Sequence, residues 1–222
     1  METPKPAALR RAYANQGLDE AALAPDPIEQ FGAWFADAVA AGLPEPNAMV
    51  LATASADAVP NARTVLLKGY GPEGFRFFTN YTSRKGRELR ENPRACLVFP
   101  WHALQRQVVV TGTAARLSDA EAADYFRSRP YGSRLGAWAS RQSSVLPSRA
   151  ELESRYAALA ARWPEDADVP VPDFWGGYLV THETVEFWQG RANRLHDRLR
   201  YVRAAGSPGE DGSGWVVERL SP

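Results

Sequence analysis

The chain reads as mainly β with peripheral helices, an α+β protein whose antiparallel strands close, or nearly close, into one barrel. Three observations predict this. Short β-rich runs separated by turn signals recur from Met49 onward. The helical stretches between them carry their own caps, as Ser118 with Glu121 and Ser148 with Glu151 show. No internal repeat or domain boundary interrupts the series. Six or more such strands in one domain fit a closed barrel with helices at its periphery.

The elements follow in order. Residues 1–26 are expected to form a flexible N-terminal segment, with a short polar helix around Leu9–Gln16 and a Pro-containing linker; residues 27–222 are expected to form a single domain. Pro27–Ala41 is a helix, because Ile28, Phe31, Phe35, Ala38 and Val39 recur at helical spacing behind an N-terminal proline. Strands are expected at Met49–Ala54, Arg63–Leu67, Phe75–Thr79, Arg94–Trp101 and Gln107–Leu117, with turns at Ser55–Asp57 and Gly69–Gly74. A helix opens at Thr82 or Ser83 and ends near Asn92-Pro93. The two capped helices span 119–128 and 149–163, and Pro130-Tyr131-Gly132 reads as a turn. After a loop with Pro164, Pro170 and Pro172 come strands at Gly177–Thr181, Val185–Trp188, Arg194–Val202 and Trp215–Leu220, the last two joined through the Gly- and Ser-rich stretch 206–214.

Composition narrows the function. The chain has 222 residues, enough for a substantial core. With 26 basic and 26 acidic residues its formal charge is zero, which argues against a nucleic-acid partner but leaves room for a local basic pocket. Cys96 is the single cysteine, in an apolar run, so neither a disulfide nor a cysteine metal cluster is expected, and no metal site is expected at all. No run approaches the length of a membrane span and no signal-peptide core is present, so a cytoplasmic protein without membrane contact is expected. The basic residues are 23 Arg against Lys5, Lys68 and Lys85, so the two lysines beyond the Pro-rich start stand out. A compact ammonium and a planar guanidinium do different work, which makes both positions candidates for a binding role.

Several segments carry ionisable groups in suggestive places. If Arg194–Val202 is a regular strand, Arg194, His196, Arg198 and Arg200 share one face, with Leu195, Leu199 and Tyr201 on the other. An anionic ligand would relieve that row of charge; a solvated edge strand explains it equally well. Arg84 and Lys85 occupy the first turn of a helix, where cations oppose the dipole unless an anion such as phosphate sits there. Arg63 and Lys68 lie five residues apart, hence on opposite faces of a regular strand, so one ligand meets both only near a bulge, at a strand end, or in a site shared with a second chain. Tyr125 and Arg129 share a helix face, with Ser133 beyond them, as suits a second phosphate; a capped surface helix would look the same.

Taken together these segments resemble a known family. Arg63 to Lys68, Phe78-Thr79-Asn80 to Ser83-Arg84-Lys85, Arg106-Gln107-Val108, Tyr125 to Pro130, Trp138 to Ser144, Phe174-Trp175-Gly176-Gly177 and Glu186-Phe187-Trp188-Gln189-Gly190 to Arg194-Leu195-His196-Asp197-Arg198 occur in the order found in the pyridoxine (pyridoxamine) 5′-phosphate oxidase family. The resemblance runs from about residue 9 to the C-terminus. It implies an FMN-binding split β-barrel that forms a homodimer with FMN held at the interface. Arg63, Lys68, Phe78 (through its backbone), Thr79, Arg84 and Lys85 would contact FMN from one chain, and Gln107, Gln142, Ser143, Trp188 and Arg198 from the other. Lys68, Tyr125, Arg129 and Ser133 would hold the substrate phosphate, Arg194 and His196 would be catalytic over its ring, and Arg10 and Tyr13 would belong to an N-terminal lid.

The implied reaction oxidises pyridoxine 5′-phosphate or pyridoxamine 5′-phosphate to pyridoxal 5′-phosphate, with hydride passing from C4′ to flavin N5. Dioxygen is the acceptor, hydrogen peroxide is released, and the amine substrate also yields ammonia. A related split-barrel oxidase with a phenazine-type substrate, or a non-catalytic flavin- or pyridoxal-phosphate-binding protein, are the alternatives. Two departures from the family pattern are Phe78, where some members have Tyr, and Arg191, where some have Gly.

Overall fold

The Asp26 carboxylate caps helix α1 (Pro27–Ala40), accepting from the Ile28 and Glu29 amides. That cap, with proline at the first helical position, starts the helix at the expected residue. The computed structural model describes Tyr13 and residues 17–204 and 214–222; the helix expected around Leu9–Gln16 and most of the 206–214 loop lie outside these. The remaining elements are β1 (Ala48–Ala54), β2 (Pro60–Leu66), β3 (Gly69–Gly71), β4 (Gly74–Asn80), α2 (Arg84–Glu91), β5 (Arg94–Trp101), β6 (Arg106–Arg116), α3 (Asp119–Ser128), α4 (Tyr131–Ala139), α5 (Arg149–Arg162), β7 (Trp175–Gln189), β8 (Asp197–Arg203) and β9 (Trp215–Arg219). Hydrogen bonds order the strands β2-β1-β5-β6-β7-β4-β3, with β8 on β7 and β9 on β8. The pairings of β3 with β4, β4 with β7, β7 with β8 and β8 with β9 are antiparallel, in keeping with the expected mainly antiparallel fold. Among the described residues no helix is long and apolar enough to cross a membrane.

Contacts divide the chain into two compact units. One comprises residues 1–50, 97–111 and 183–222. Its core forms where α1 turns Phe31 onto Phe99 and Trp101, at centroid distances of 4.9 and 5.8 Å, and Trp34 edge-on to Phe187 at 5.2 Å. Each such burial contributes roughly 1.5–3 kcal/mol, which is why the helical face outlasts the marginal propensity of a short helix. The Tyr201 hydroxyl donates to the Ala24 carbonyl at 2.6 Å, fastening the linker before α1 to β8.

The second unit, residues 51–96 and 112–182, contains the β3–β4 hairpin, α2 to α5 and the first half of β7. Its helical side packs around buried Phe126, Leu135, Val169 and Trp175. Gly74 must be glycine: its φ is +140°, and a Cβ would stand 2.2 Å from the Val180 carbonyl oxygen on the neighbouring strand.

Four local expectations are corrected. Residues 131–139 form α4 rather than a turn, because Pro130 begins a helix instead of ending one, and Leu135 and Ala139 are buried on its inner face. The two strands expected at 177–181 and 185–188 are one, since β7 runs unbroken for 15 residues. β2 ends at Leu66, so strand alternation does not extend to Lys68. The strand expected from Arg194 begins at Asp197: residues 192–194 form a 3-10 turn in which Asn193 and Arg194 both have positive φ, 56° and 63°. Arg194 and His196 therefore do not share a strand face with Arg198 and Arg200, and Leu195 is 68% exposed rather than buried beside Leu199 and Tyr201.

Candidate active site

In the second unit, β2, β4, α2, α3, the start of α4 and the chain at Gln142 and Trp175 surround an open cavity of about 440 Å³. Lys68, Tyr125, Arg129 and Ser133, the four residues expected to hold one phosphate, all line it. So do Phe78, Thr79, Lys85 and Gln142 from the expected flavin set. Phe78, Tyr125 and Trp175 form an aromatic floor: Phe78 stacks on Tyr125 with centroids 3.9 Å apart, and on Trp175 at 5.6 Å. A tyrosine hydroxyl at position 78 is not needed for this stacking.

Two cations in this cavity carry a built-in electrostatic cost. Arg129 caps the end of α3, and its guanidinium lies over the Trp175 ring at 4.9 Å. Burial lowers its pKa from the ordinary arginine value, and its buried Nη1 has no hydrogen-bond partner among the described residues. A buried, unpaired guanidinium N–H is costly, and an anion in the cavity would relieve it. Lys85 is 7% exposed; its ammonium donates to Gln142 Oε1 at 2.8 Å and to Thr79 Oγ1 at 3.2 Å. Burial, reinforced by the charge of Arg63, lowers its pKa to about 8. Both partners are neutral, so the ammonium has no counter-charge in direct hydrogen-bonding contact. The donor set and the aromatic floor fit a phosphorylated aromatic ligand and a flavin phosphate.

Arg63 and Arg84 take a different arrangement. Glu88, 5% exposed, accepts from Arg63 Nη2 at 3.1 Å, Arg84 Nε at 2.8 Å, Thr53 Oγ1 at 2.5 Å and Asn61 Nδ2 at 3.4 Å. The Ser83 hydroxyl caps α2, accepting from the Gly86 amide. The two cations that oppose the α2 dipole thus separate, with Arg84 turned to Glu88 one helical turn on and Lys85 turned into the cavity. Glu88 was not among the expected residues, although its i+4 spacing from Arg84 was a usable signal.

Glu88 also predicts an acid limb. Burial pushes its carboxyl up, but the bonds from Thr53, Arg84, Arg63 and Asn61 outweigh that and hold it below the ordinary carboxylate range. A lowered folded-state pKa contributes stability that is present above the unfolded value of about 4.3 and lost as pH falls through the folded value. Thermal unfolding of the apoprotein from pH 7 down to pH 3 should therefore show a loss of stability below about pH 4.3 that Glu88→Gln flattens. An unchanged acid limb in Glu88→Gln would rule out this cluster as its source.

Apart from Ser143, the other expected residues belong to the first unit. Gln107 lies half-buried on β6, and Trp188 near the end of β7. The row of arginines on β8 already has its anions: Arg198 forks onto Glu186 at 2.8 and 3.0 Å, and Arg200 meets Glu218 on β9 at 2.7 Å. Both carboxylates come from neighbouring strands, so the charge along β8 does not by itself call for a ligand. His196 packs on Trp188 at 4.7 Å, and its Nδ1 accepts from the Arg191 amide at 3.0 Å, which leaves Nε2 to carry the proton of the neutral ring. Tyr13 lies on both rings, 6.1 Å from Trp188 and 5.8 Å from His196. Gly190 lets it approach, because a Cβ there would stand 2.8 Å from the Tyr13 ring. Arg10 lies outside the described residues. Ser143 is exposed in a left-handed conformation next to Gln142, while His182 is buried against Phe75, as a structural histidine would be.

Fold and site define a protein of the split-barrel class. Residues 35–162 match the family model described as "Pyridoxamine 5′-phosphate oxidase", and residues 175–222 match that of a "Pyridoxine 5′-phosphate oxidase C-terminal dimerisation region". The chain belongs to the pyridoxamine 5′-phosphate oxidase family of enzymes. It is 55% identical to a pyridoxine/pyridoxamine 5′-phosphate oxidase of Thermobifida fusca (strain YX) over the whole of both chains. It is 58% identical to one of Streptomyces avermitilis, covering 98% of this chain and 96% of that one. Among solved structures, PhzG from Burkholderia lata 383, in complex with tetrahydrophenazine-1-carboxylic acid, superposes with a TM-score of 0.84 at 31% identity, covering 93% of this chain and 98% of that one. A pyridoxamine 5′-phosphate oxidase-related, FMN binding protein from Nostoc punctiforme shares the fold, with a TM-score of 0.66 at 17% identity over 86% of this chain and 96% of that one.

Proposed function

We propose that the protein is an FMN-dependent oxidase that converts pyridoxine 5′-phosphate or pyridoxamine 5′-phosphate to pyridoxal 5′-phosphate, working in the cytoplasm as a homodimer with FMN between its chains. The observation that carries the reading is the cavity in which Lys68, Tyr125, Arg129 and Ser133 converge above an aromatic floor, with the buried Arg129 Nη1 unpaired. FMN, when bound, would supply hydride acceptance from substrate C4′ and reoxidation by dioxygen, with hydrogen peroxide as the by-product. Lys85 and Thr79 would hold the flavin on one side, with Arg63, Lys68, Arg84 and the Phe78 backbone. Gln142, which accepts from Lys85 and Thr79 of its own chain, and its neighbour Ser143 are assigned to this side as well, instead of to the second chain as the resemblance implies. Gln107, Trp188 and Arg198 would come from the second chain. Arg129, Ser133, Tyr125 and Lys68 bind the substrate phosphate and so fix the reach of its ring, while Arg194 and His196 orient the ring and its ionisation. The C-terminal match to a dimerisation region supports the two-chain site.

The phenazine-type alternative has the PhzG likeness at 31% identity in its favour, but the relatives at 55–58% identity over nearly all of the chain carry the pyridoxine/pyridoxamine name. Peroxide release by FMN-loaded protein should be seen with pyridoxine 5′-phosphate or pyridoxamine 5′-phosphate and be nearly absent with unphosphorylated pyridoxine. Equal turnover of pyridoxine and its phosphate would remove the phosphate clamp from the proposal. No turnover of either phosphate ester with stoichiometric FMN bound would favour the alternatives.

A further inference from the structure

Asp197 opens β8 with its carboxylate inward, 8% exposed, on the same side as buried Leu199 and Tyr201. Three donors meet it: the Leu18 amide at 2.9 Å, Arg191 Nη1 at 3.2 Å and Arg219 Nη1 at 2.7 Å. Arg219 reaches on to both carboxylate oxygens of Glu20 and to the Leu18 carbonyl. The chain at Gly17 passes directly over the Asp197–Arg191 pair. Its φ is +93°, and a Cβ there would stand 2.2 Å from Arg191 Nη1 and 2.9 Å from Asp197 Oδ2.

Arg191 is tied at both ends. Its side chain pairs with Asp197, while its amide donates to His196 Nδ1. Within the loop that these contacts close lie Asn193 and Arg194, consecutive left-handed residues without glycine. Such conformations are strained for residues that carry a side chain and persist where surrounding contacts over-determine them. The closures on either side supply that constraint.

We propose that Asp197 is a positioning residue for the reaction: acting through Arg191 it sets the 191–196 turn that carries Arg194 and His196, and with Arg219 it moors the N-terminal chain whose Tyr13 rests on His196. The arginine at position 191 is therefore the link between Asp197 and the imidazole. The catalytic part of this inference rests on the function proposed above, whereas the geometric part does not.

The test separates the two. Wild type, Asp197→Asn, Arg191→Gly and the double variant are compared as FMN-loaded protein. Turnover with pyridoxine 5′-phosphate should fall in Asp197→Asn by on the order of tenfold to a hundredfold, as a displaced orienting group requires, with FMN content unchanged. Arg191→Gly keeps the backbone amide but loses the side-chain link, so it should show a smaller loss, and the double variant should be no worse than Asp197→Asn alone. Independently of activity, ¹⁵N shifts of the His196 imidazole, assigned with a His196→Gln control, should report one tautomer with Nδ1 unprotonated in wild type and averaging of the two in Asp197→Asn. Should Asp197→Asn fail to fold, Arg191→Gly and Gly17→Ala, which crowds the same pair, carry the test alone. Wild-type turnover and unaltered His196 shifts in the variants would overturn the proposal, as would additive losses in the double variant. An inactive wild type whose His196 shifts still respond to Asp197→Asn would sink the proposed function and leave the positioning geometry standing.

Discussion

Replacing Arg129 with alanine should raise the Michaelis constant for pyridoxine 5′-phosphate far more than any other single change in the cavity, while FMN stays bound. Arg129 lies half-buried over Trp175 with its buried Nη1 unpaired among the described residues, so a substrate phosphate would meet a donor already stripped of water. Truncating one partner of a desolvated charge pair costs about 2–5 kcal/mol, or roughly thirtyfold to a few thousandfold in affinity. Arg129→Lys keeps the charge but not the planar fork or the ring stacking, so it should recover part of the loss and not all of it. Steady-state kinetics at saturating FMN gives the answer. A near-normal Michaelis constant in Arg129→Ala would take this residue out of the phosphate site. Loss of flavin in the same variant would show that the cavity binds FMN where substrate is placed.

Lys85→Met should have the converse effect, weakening FMN while stabilising the apoprotein. The ammonium is buried on neutral partners, and burial lowers its pKa to about 8 from an ordinary value of 10.5. Below pH 8 the lysine is charged whether folded or unfolded, and the folded state bears the full desolvation cost. Between pH 8 and about 10.4 the folded protein releases the proton first and the cost is lifted, so apoprotein stability rises with pH across that window by about 3 kcal/mol. Lys85→Met should therefore melt above wild type at pH 7, with a gap that narrows as pH approaches 10. In the holoprotein the order reverses. Losing one charge-assisted contact costs on the order of 1.5–3 kcal/mol, about tenfold to a hundredfold in FMN affinity. Fluorescence titration of FMN and calorimetry of the apoprotein measure the two halves separately. Unchanged FMN affinity would assign Lys85 to the substrate side of the cavity, and a less stable apoprotein would mean that the bonds to Gln142 and Thr79 outweigh desolvation.

Much of this protein was legible in its sequence because the relevant signals are local. Ser118 with Glu121 marks the start of α3 through contacts within one helical turn, and the reciprocal box forms as expected. β5 occupies the residues expected of it, since alternation of buried and half-buried side chains is a period-two property of the strand itself. The scarcity of lysine singled out Lys68 and Lys85, and both line the cavity. What failed was regularity assumed where the backbone departs from it. Alternation puts Arg194 and His196 on a strand, but Asn193 and Arg194 turn left-handed; asparagine tolerates that region, whereas arginine at 194 gives no sign of it. Helix α4 was missed for a related reason. Pro130 and Gly132 are strong turn residues, and burial of Leu135 and Ala139 overrides them.

The chemistry thus divides by range. Residue types, caps and spacing by themselves determined which groups are available: most of the strands and helices, the cations and the aromatic rings. Only the tertiary structure decided which of those charges are spoken for. Arg198 and Arg200 are met by Glu186 and Glu218, Arg63 and Arg84 by Glu88, and Asp197 by Leu18, 179 residues away in the chain. Among the described residues no carboxylate pairs with Arg129 or Lys85. A charge is a property of one residue, but its cost is set by burial and by what stands within hydrogen-bonding reach, and both are created when distant segments pack.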